Sequence, residues 1–323
     1  MLAEESRPPK VAQRVSVEFG IPFEHADGAV SDFLYRMGAL GFVRADDQSC
    51  QGRLRERYLT LLKSTLSNLV YAEHELRIEQ LEQEGTDAGR PRRLRDIRYD
   101  NPDLFDELIA HKADGRVWRR RATRFSHTMI GLRRLENLEW CAGQIFKDGL
   151  EGDFLEAGVC QGGAAIFLRA LQVAHEQAHR ITWVADSFQG LPKPSSEFDK
   201  GYDLHEAVQP WLAASLRSVQ DNFRTYDLLS EQVRFLPGWF ADSLPDAPVE
   251  KLAILRIDAD YYSSTREVLE ALYDKVVPGG FIIIDDYHAF PNCRRAVDEF
   301  RVERGIMDGL TRIDWTAVFW RKT

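Results

Sequence analysis

The stretch FLEAGVCQGGAA, residues 154–165, has the pattern of a short apolar strand, a glycine-rich turn and the start of a helix. Glycine has no Cβ, so its backbone can pass close to a ligand or to another part of the chain. Downstream, apolar runs of strand length alternate with segments whose apolar residues recur every three or four positions. That alternation predicts an α/β fold with a doubly wound, mostly parallel sheet and helices on both faces. The predicted strands are residues 154–159, 181–186, 232–238, 252–258 and 279–286.

The two ends of the chain differ from this alternating pattern. Residues 310–323 contain two short apolar runs, which predict a C-terminal β-hairpin. We predict a helical N-terminal extension at 1–52, a helical lid region at 53–150 and a ligand-binding core at 151–323. Within the core, the polar segment 192–210 contains glycine and proline and is typical of a mobile active-site loop.

Composition excludes several classes of protein. The chain has 323 residues and a formal net charge of -9, which opposes nucleic-acid binding because phosphates need a basic surface. The four cysteines are widely spaced, so they predict neither a zinc site nor a disulfide framework. The N-terminus lacks the apolar core of a signal peptide, and no apolar run reaches the ~18 residues of a membrane span. We therefore expect a cytoplasmic protein without a nucleic-acid or membrane partner.

Polar residues at the first two strand ends indicate a nucleoside-containing ligand. Glu156 and Gly158 end the first strand, where an acidic group suits an amine or a sulfonium and glycine permits close approach. S-adenosylmethionine carries both cationic groups. Asp186 ends the second strand at a spacing typical of a ribose-binding carboxylate, and Ser187 can donate beside it. A tight turn that needs glycine and a helix-capping Asp-Ser pair are the alternatives.

The third strand and the helix before the first strand add four residues to the predicted cofactor site. Gly238 and Trp239 follow the third strand and could form the floor of an adenine pocket, with Asp242 near the adenine amino group. Met129 precedes the first strand and is expected to cover the cofactor. Core packing is the alternative for the methionine and the tryptophan.

Aspartates follow the fourth and fifth strands. Asp258 ends one, and the pair Asp285 and Asp286 ends the other. Because parallel strands end at the same edge of a sheet, three carboxylates would converge there and repel one another without a cation. Hard oxygen ligands suit Mg²⁺, so the sequence predicts a magnesium site. Helix capping is the alternative, and it accounts for Asp260 better than for the adjacent pair. His288 follows the pair and could reach the same cleft.

Six motifs in order resemble the macrocin and mycinamicin O-methyltransferase family. The similarity extends from about residue 54 to the C-terminus. Two departures are the extension before residue 45 and DAD in place of the more usual DGD. The motifs are HTMIGLRRLENL, GDFLEAGVCQGGA, WVADSFQGLP, VRFLPGWFADSLP, LRIDADYYSST and GGFIIIDDYHAFPNCRRAVDEF.

The resemblance implies a class I methyltransferase with a Rossmann-like sheet. It implies an enzyme that uses S-adenosylmethionine and Mg²⁺ to methylate a sugar hydroxyl of a glycosylated natural product, in antibiotic biosynthesis. Asp258, Asp285 and Asp286 would then hold the metal, and Asp258 would also be the candidate base. The residues implied for the cofactor are Glu156, Gly158, Asp186 and Ser187.

Three other functions remain open at the level of sequence. A methyltransferase acting on catechol-like phenols would use the same metal chemistry. A glycosyltransferase could use DAD as a metal-binding D-x-D motif but would not need Glu156 and the glycine turn. A non-catalytic assembly protein would not need acidic residues at every strand end. We also expect a homo-oligomer, a dimer or a tetramer, formed through the helical N-terminal segments.

Overall fold

The computed structural model describes residues 50–83, 102–114, 125–194, 196–205, 207 and 209–323. Of the predicted extension at 1–52, only residues 50–52 are among them. The chain divides after Arg53, and every residue of the site described below belongs to the unit Leu54–Thr323. None of the described helices combines the length and the apolar character that a membrane crossing requires.

Within the described residues, four helices precede the first strand. They are α1 (Cys50–Leu66), α2 (Ala72–Gln83), α3 (Pro102–Asp114) and α4 (Gly131–Lys147). Helical spacing continues through residues 125–146, yet α4 begins only at Gly131, whose φ is +71°. The amide of His127 instead donates to the carbonyl of Leu66 at 2.9 Å, which holds the residues before α4 against α1 in a non-helical path.

Strands and helices then alternate as the sequence predicts. The strands are β1 (Asp153–Ala157), β2 (Thr182–Asp186), β3 (Val233–Pro237), β4 (Leu252–Ile257), β5 (Val276–Ile284), β6 (Thr311–Arg312) and β7 (Val318–Arg321). The helices between them are α5 (Gly163–Ala174), α6 (Leu216–Thr225), α7 (Phe240–Ser243), α8 (Tyr262–Leu272) and α9 (Pro291–Glu303).

All seven strands form one sheet in the order β3-β2-β1-β4-β5-β7-β6. The first five strands are parallel, whereas β7 runs antiparallel to both β5 and β6. The predicted doubly wound sheet and C-terminal hairpin are therefore confirmed. The order reverses between β1 and β4, and ligands of such sheets bind at that point, beyond the carboxyl ends of the strands.

Side chains of the central strands alternate between two hydrophobic layers. On β5, Phe281 and Ile283 face the layer that contains α4, α5 and α6, while Ile282 and Ile284 face the layer that contains α8 and α9. This period of two is the consequence of strand geometry. Because both faces are covered, polar groups of the central strands can reach solvent only at the strand ends.

Candidate active site

The glycine turn after β1 brings the ends of β1 and β4 into contact. Gly158 has a φ of +83°, and a Cβ on it would lie 1.8 Å from the carbonyl oxygen of Asp258. The Asp258 amide donates to the Ala157 carbonyl at 2.8 Å, and the Gly158 amide donates to the Ala185 carbonyl at 2.9 Å. Glycine is thus required here for both its backbone angle and its lack of a side chain.

A cavity of about 280 Å³ opens beyond these strand ends. Its wall combines the glycine turn with residues after β2, β3 and β4, so it lies where the topology predicts a ligand. Six of the eight cofactor-site residues predicted from sequence line it, namely Met129, Gly158, Asp186, Ser187, Gly238 and Trp239.

Asp186 joins the turns after β1 and β2. One of its carboxylate oxygens accepts from the Val159 amide and the other from the Phe188 amide, both at 2.8 Å. Burial raises the pKa of Asp186, and these backbone hydrogen bonds oppose that increase. The hydroxyl of Ser187 donates to the Gly190 carbonyl at 2.7 Å, so it braces the next turn.

Two predicted cofactor residues do not line the cavity wall. Asp242 is exposed on the short helix α7. Glu156 is buried, and its Oε1 accepts from Nη1 of Arg256 at 2.5 Å. Burial is the largest cause that raises the pKa of Glu156, to about 8, and the Arg256 charge opposes it. Oε2 of Glu156 has no hydrogen-bond partner within the described part of the chain.

Three carboxylates converge beside the cavity. Oxygen atoms of Asp258, Asp260 and Asp286 all lie within 4.8 Å of one another, and we name this set the acidic cluster. Burial, followed by repulsion from neighbouring carboxylates, raises the pKa values of Asp260 and Asp286 well above the ordinary range. Oδ2 of Asp286 is buried and has no hydrogen-bond partner among the residues that the structure describes.

Asp285, which the sequence predicts as a metal ligand, lies between two buried arginines. Its Oδ1 accepts from Arg256 and its Oδ2 from Arg134. Burial is the main cause that raises its pKa, to about 6, and the two guanidinium charges oppose the increase. The structure therefore brings Asp258 and Asp286 together with Asp260, while arginines hold Asp285 beside them.

The two arginines connect the site to the rest of the sheet. Arg256 on β4 contacts Glu156 and Asp285, and its Nη2 donates to Asp258 at 3.0 Å. Arg134 on α4 contacts Asp285 and also donates from Nε to Asp314 of the C-terminal hairpin at 2.7 Å. Paired and hydrogen-bonded in this way, the buried guanidiniums fix where the carboxylates lie.

The charges in this region favour binding of a cation. Two guanidiniums face a larger set of carboxylates, so full ionisation leaves a formal excess of four negative charges. A divalent ion would offset this excess, give a partner to the unpaired oxygen of Asp286 and lower the raised pKa values. The carboxylates counted here are Glu156, Asp258, Asp260, Asp285, Asp286 and Asp314.

Asp260 does not cap α8, although capping is the interpretation that its sequence position favours. The N-cap is Tyr261, and it makes no side-chain cap hydrogen bond. Asp260 has a φ of +54°, a left-handed conformation that is uncommon outside glycine and costs energy. This backbone places its carboxylate in the acidic cluster.

Two histidines near the motifs lie away from the cluster. His288 is exposed, and its backbone amide donates to the Thr316 carbonyl at 2.8 Å. Nδ1 of His127 lies 2.7 Å from the Tyr226 hydroxyl. A Cβ on Gly163 would meet the backbone of His127 at 2.2 Å, so this residue packs against the start of α5.

The sequence analysis did not identify Arg134 or Arg256, and it assigned Asp260 to helix capping. Arg256 had a visible signal, because it interrupts the apolar strand LAILRI. A charged residue in a buried strand is rare unless it is paired, so its presence points to acidic partners. Arg134 lies in the polar pattern of α4, which contains no comparable signal.

The sheet order, the glycine turn and the acidic end of β2 together define a class I methyltransferase. The family model for macrocin O-methyltransferase (TylF) matches residues 55–322, and the chain belongs to that family. The protein is thus an O-methyltransferase. Membership of a methyltransferase family implies S-adenosylmethionine as the methyl donor.

Two curated relatives are similar over most of the chain. One is the 8-demethyl-8-(2,3-dimethoxy-alpha-L-rhamnosyl)-tetracenomycin-C 4'-O-methyltransferase of Streptomyces olivaceus, 43% identical over 83% of this chain and 94% of the relative. The other is the mycinamicin III 3''-O-methyltransferase of Micromonospora griseorubida, 43% identical over 83% of this chain and 97% of the relative.

Two solved structures are similar in fold. The O-methyltransferase NovP superposes with a TM-score of 0.70 at 40% identity, covering 83% of this chain and 99% of NovP. The calicheamicin methyltransferase CalS11 superposes with a TM-score of 0.50 at 17% identity, covering 73% of this chain and 98% of CalS11, and it supports the fold alone.

Proposed function

We propose that this O-methyltransferase methylates a sugar hydroxyl of a glycosylated natural product and that it requires Mg²⁺. The observation that carries the proposal is the acidic cluster beside a cavity lined by the glycine turn. The acceptor class is supported by the two curated relatives, one named for a rhamnosyl tetracenomycin and the other for mycinamicin III.

The protein's own residues divide the proposed site into two parts. Gly158 and Gly238 would allow the methyl donor to approach the backbone, and Asp186 and Ser187, which line the same cavity, would contact its ribose. Bound S-adenosylmethionine supplies an electrophilic methyl group. Met129 and Trp239 supply the apolar contacts of the wall.

The acidic cluster forms the acceptor side. Asp258, Asp260 and Asp286 offer the hard oxygen ligands that Mg²⁺ prefers. Bound Mg²⁺ supplies a Lewis acid that lowers the pKa of a coordinated hydroxyl. Asp285 is not a member of the acidic cluster, and it shares the partner Arg256 with Asp258, which helps to hold Asp258 in place.

Asp258 is our candidate for the residue that accepts the proton. Its side chain is 26% exposed and lines the cavity, whereas the side chain of Asp285 is 5% exposed. In the overall reaction the acceptor oxygen gains a methyl group and loses a proton, which passes to a carboxylate oxygen of Asp258. Arg256 donates to this carboxylate at 3.0 Å and so fixes its orientation. Such proton transfer contributes typically ~10²–10⁴-fold to the rate.

Mass spectrometry after incubation with methyl-labelled S-adenosylmethionine tests the proposal. Acceptors should include glycosylated natural products, their aglycones and catechol-like phenols, each with Mg²⁺ and with excess chelator. We expect label only in the sugar of a glycosylated acceptor and only with Mg²⁺. Label in a phenol or aglycone would contradict the acceptor class, and full activity in chelator would contradict the metal.

A pair of variants tests the residue assignment. Asp258→Asn removes the proton acceptor and should lower kcat by about 10²-fold or more. Asp246→Asn is the matched control, because Asp246 is exposed and does not line the cavity. Equal activity of both variants would remove Asp258 from the proposed mechanism.

A further inference from the structure

One buried aspartate comes from the segment that the sequence predicts as a mobile loop. Asp199 ends a short 3-10 helix, Glu197–Asp199, and its exposed fraction is 0%. A fully buried carboxylate is costly unless its oxygens are hydrogen-bonded. Both of its oxygens are bonded here, and the donors lie far away in the sequence.

Asp199 takes the place of a local cap at the start of α8. Its Oδ1 accepts from the Tyr262 amide at 2.7 Å, and its Oδ2 accepts from the Ser263 amide at 3.2 Å and from the Ser263 hydroxyl at 2.8 Å. The side-chain amide of Asn292, on α9, donates to Oδ1 at 2.8 Å. The first amides of a helix need such acceptors, and a negative charge there also interacts favourably with the helix dipole.

The helix that Asp199 caps begins immediately after the acidic cluster's turn. Asp258 and Asp260 supply two of the three clustered carboxylates, and only Tyr261 separates Asp260 from α8. The turn itself holds a left-handed residue, Asp260, which persists only where surrounding contacts stabilise it. The same segment makes a second contact with this turn, because the Leu204 amide donates to the Tyr261 hydroxyl at 2.9 Å.

We propose that Asp199 is a positioning residue for the metal site. It fixes the start of α8 and so keeps Asp258 and Asp260 close enough to Asp286 to share one ion. This inference rests on the proposed magnesium site. It also assigns the segment around Asp199 a role in organising the site, in place of a loop that moves freely over it.

The variants Asp199→Ala and Asp199→Asn test this role against a matched control. Asp203→Asn alters an exposed aspartate of the same segment, whose carboxylate accepts a local hydrogen bond from the His205 amide at 3.2 Å. Asp199→Asn preserves the side-chain shape and one acceptor oxygen. The same measurements can therefore be made on this variant if the alanine variant does not fold.

Two measurements on the protein without acceptor distinguish positioning from general stability. Hydrogen exchange reports the Tyr262 and Ser263 amides directly, and calorimetric titration with MgCl₂ reports the acidic cluster. We expect faster exchange at both amides and about 10- to 100-fold weaker Mg²⁺ binding in the Asp199 variants, the range seen when groups that orient metal ligands are removed. The Asp203→Asn protein should match the unaltered protein in both.

Each other outcome counts against the inference. Faster exchange with unchanged Mg²⁺ affinity would show that Asp199 caps α8 without positioning the site. Unchanged exchange in a folded variant would show that the cap is dispensable. Failure of the unaltered protein to bind Mg²⁺ would overturn the proposed magnesium site itself, and this inference with it.

Discussion

Substitution of Gly158 by alanine should damage both stability and the site. The new Cβ would lie 1.8 Å from the Asp258 carbonyl oxygen, a backbone atom that cannot rotate away. To reach even 3.0 Å, the ends of β1 and β4 must separate by about 1.2 Å, because closer contacts are strongly repulsive. That movement would lengthen the hydrogen bond from the Asp258 amide to the Ala157 carbonyl, now 2.8 Å, beyond bonding distance.

The expected loss of stability has two parts. A left-handed φ costs a non-glycine residue about 1–2 kcal/mol. The broken hydrogen bond and its weakened neighbour from the Gly158 amide add about 1–2 kcal/mol. We therefore expect the free energy of unfolding to fall by about 3 kcal/mol. Displacing Asp258 by about 1 Å should also lower kcat by about 10²-fold.

Gly149→Ala provides the control for the backbone angle alone. Gly149 has a φ of +63°, and a Cβ there meets nothing within 4 Å. Urea denaturation of both variants separates the cost of the backbone angle from the cost of the steric clash. The free energy of unfolding of the control should fall by only about 1–2 kcal/mol, because only the backbone angle is affected. The reasoning fails if Gly158→Ala is as stable as Gly149→Ala and keeps normal affinity for S-adenosylhomocysteine and normal turnover.

Asp286→Ala should weaken Mg²⁺ binding more than Asp285→Ala, measured by calorimetry, because the structure places only Asp286 in the acidic cluster; the reverse order would make Asp285 the ligand. Arg256→Met should lower the free energy of unfolding by about 3–5 kcal/mol in denaturation experiments, since it removes the guanidinium partner of Glu156 and one of the two partners of Asp285; a neutral effect would contradict a stabilising role for these pairs. The pKa values of Asp285 and Glu156 are raised in the folded state, to about 6 and about 8. The folded protein therefore binds these protons more tightly than the unfolded chain does. This proton binding contributes fully to the free energy of unfolding below about pH 4, and the contribution is lost as the pH rises through the two folded-state values. Binding of the proposed Mg²⁺ would require the carboxylates to lose these protons, so the increase in Tm that it produces should be larger at about pH 8 than at about pH 6. A pH-independent increase would argue against protonated carboxylates in the metal-free protein.

The sheet could be predicted from sequence because its signal is local and repeated. Each strand is a short apolar run bounded by turn residues, and each helix has its own spacing. The start of α4 could not be predicted in this way, because a bond between the His127 amide and the Leu66 carbonyl decides it. Helical periodicity continues through those residues, and a tertiary contact overrides it.

The convergence of carboxylates at one edge of the sheet was also predictable, but the membership of the acidic cluster was not. Strand ends place Asp258 and Asp286 at that edge, where the structure brings their carboxylates together. Asp285 and Asp286 follow the end of β5, and the guanidiniums of Arg134 and Arg256 hold Asp285, whereas Asp286 joins the acidic cluster. The left-handed backbone of Asp260 places its carboxylate beside that of Asp258. The local sequence does not indicate that Asp199, rather than Asp260, accepts the hydrogen bond from the first amide of α8.

Arg256 joins three adjacent strands through a charge that does not depend on pH. Its guanidinium contacts acidic groups on β1, after β4 and after β5, so these strand ends stay connected when no divalent ion is bound. A cell short of magnesium should therefore retain folded enzyme that recovers on resupply without new synthesis. Metals of similar size should exchange at the same ligands, and the ion found after purification should reflect the growth medium.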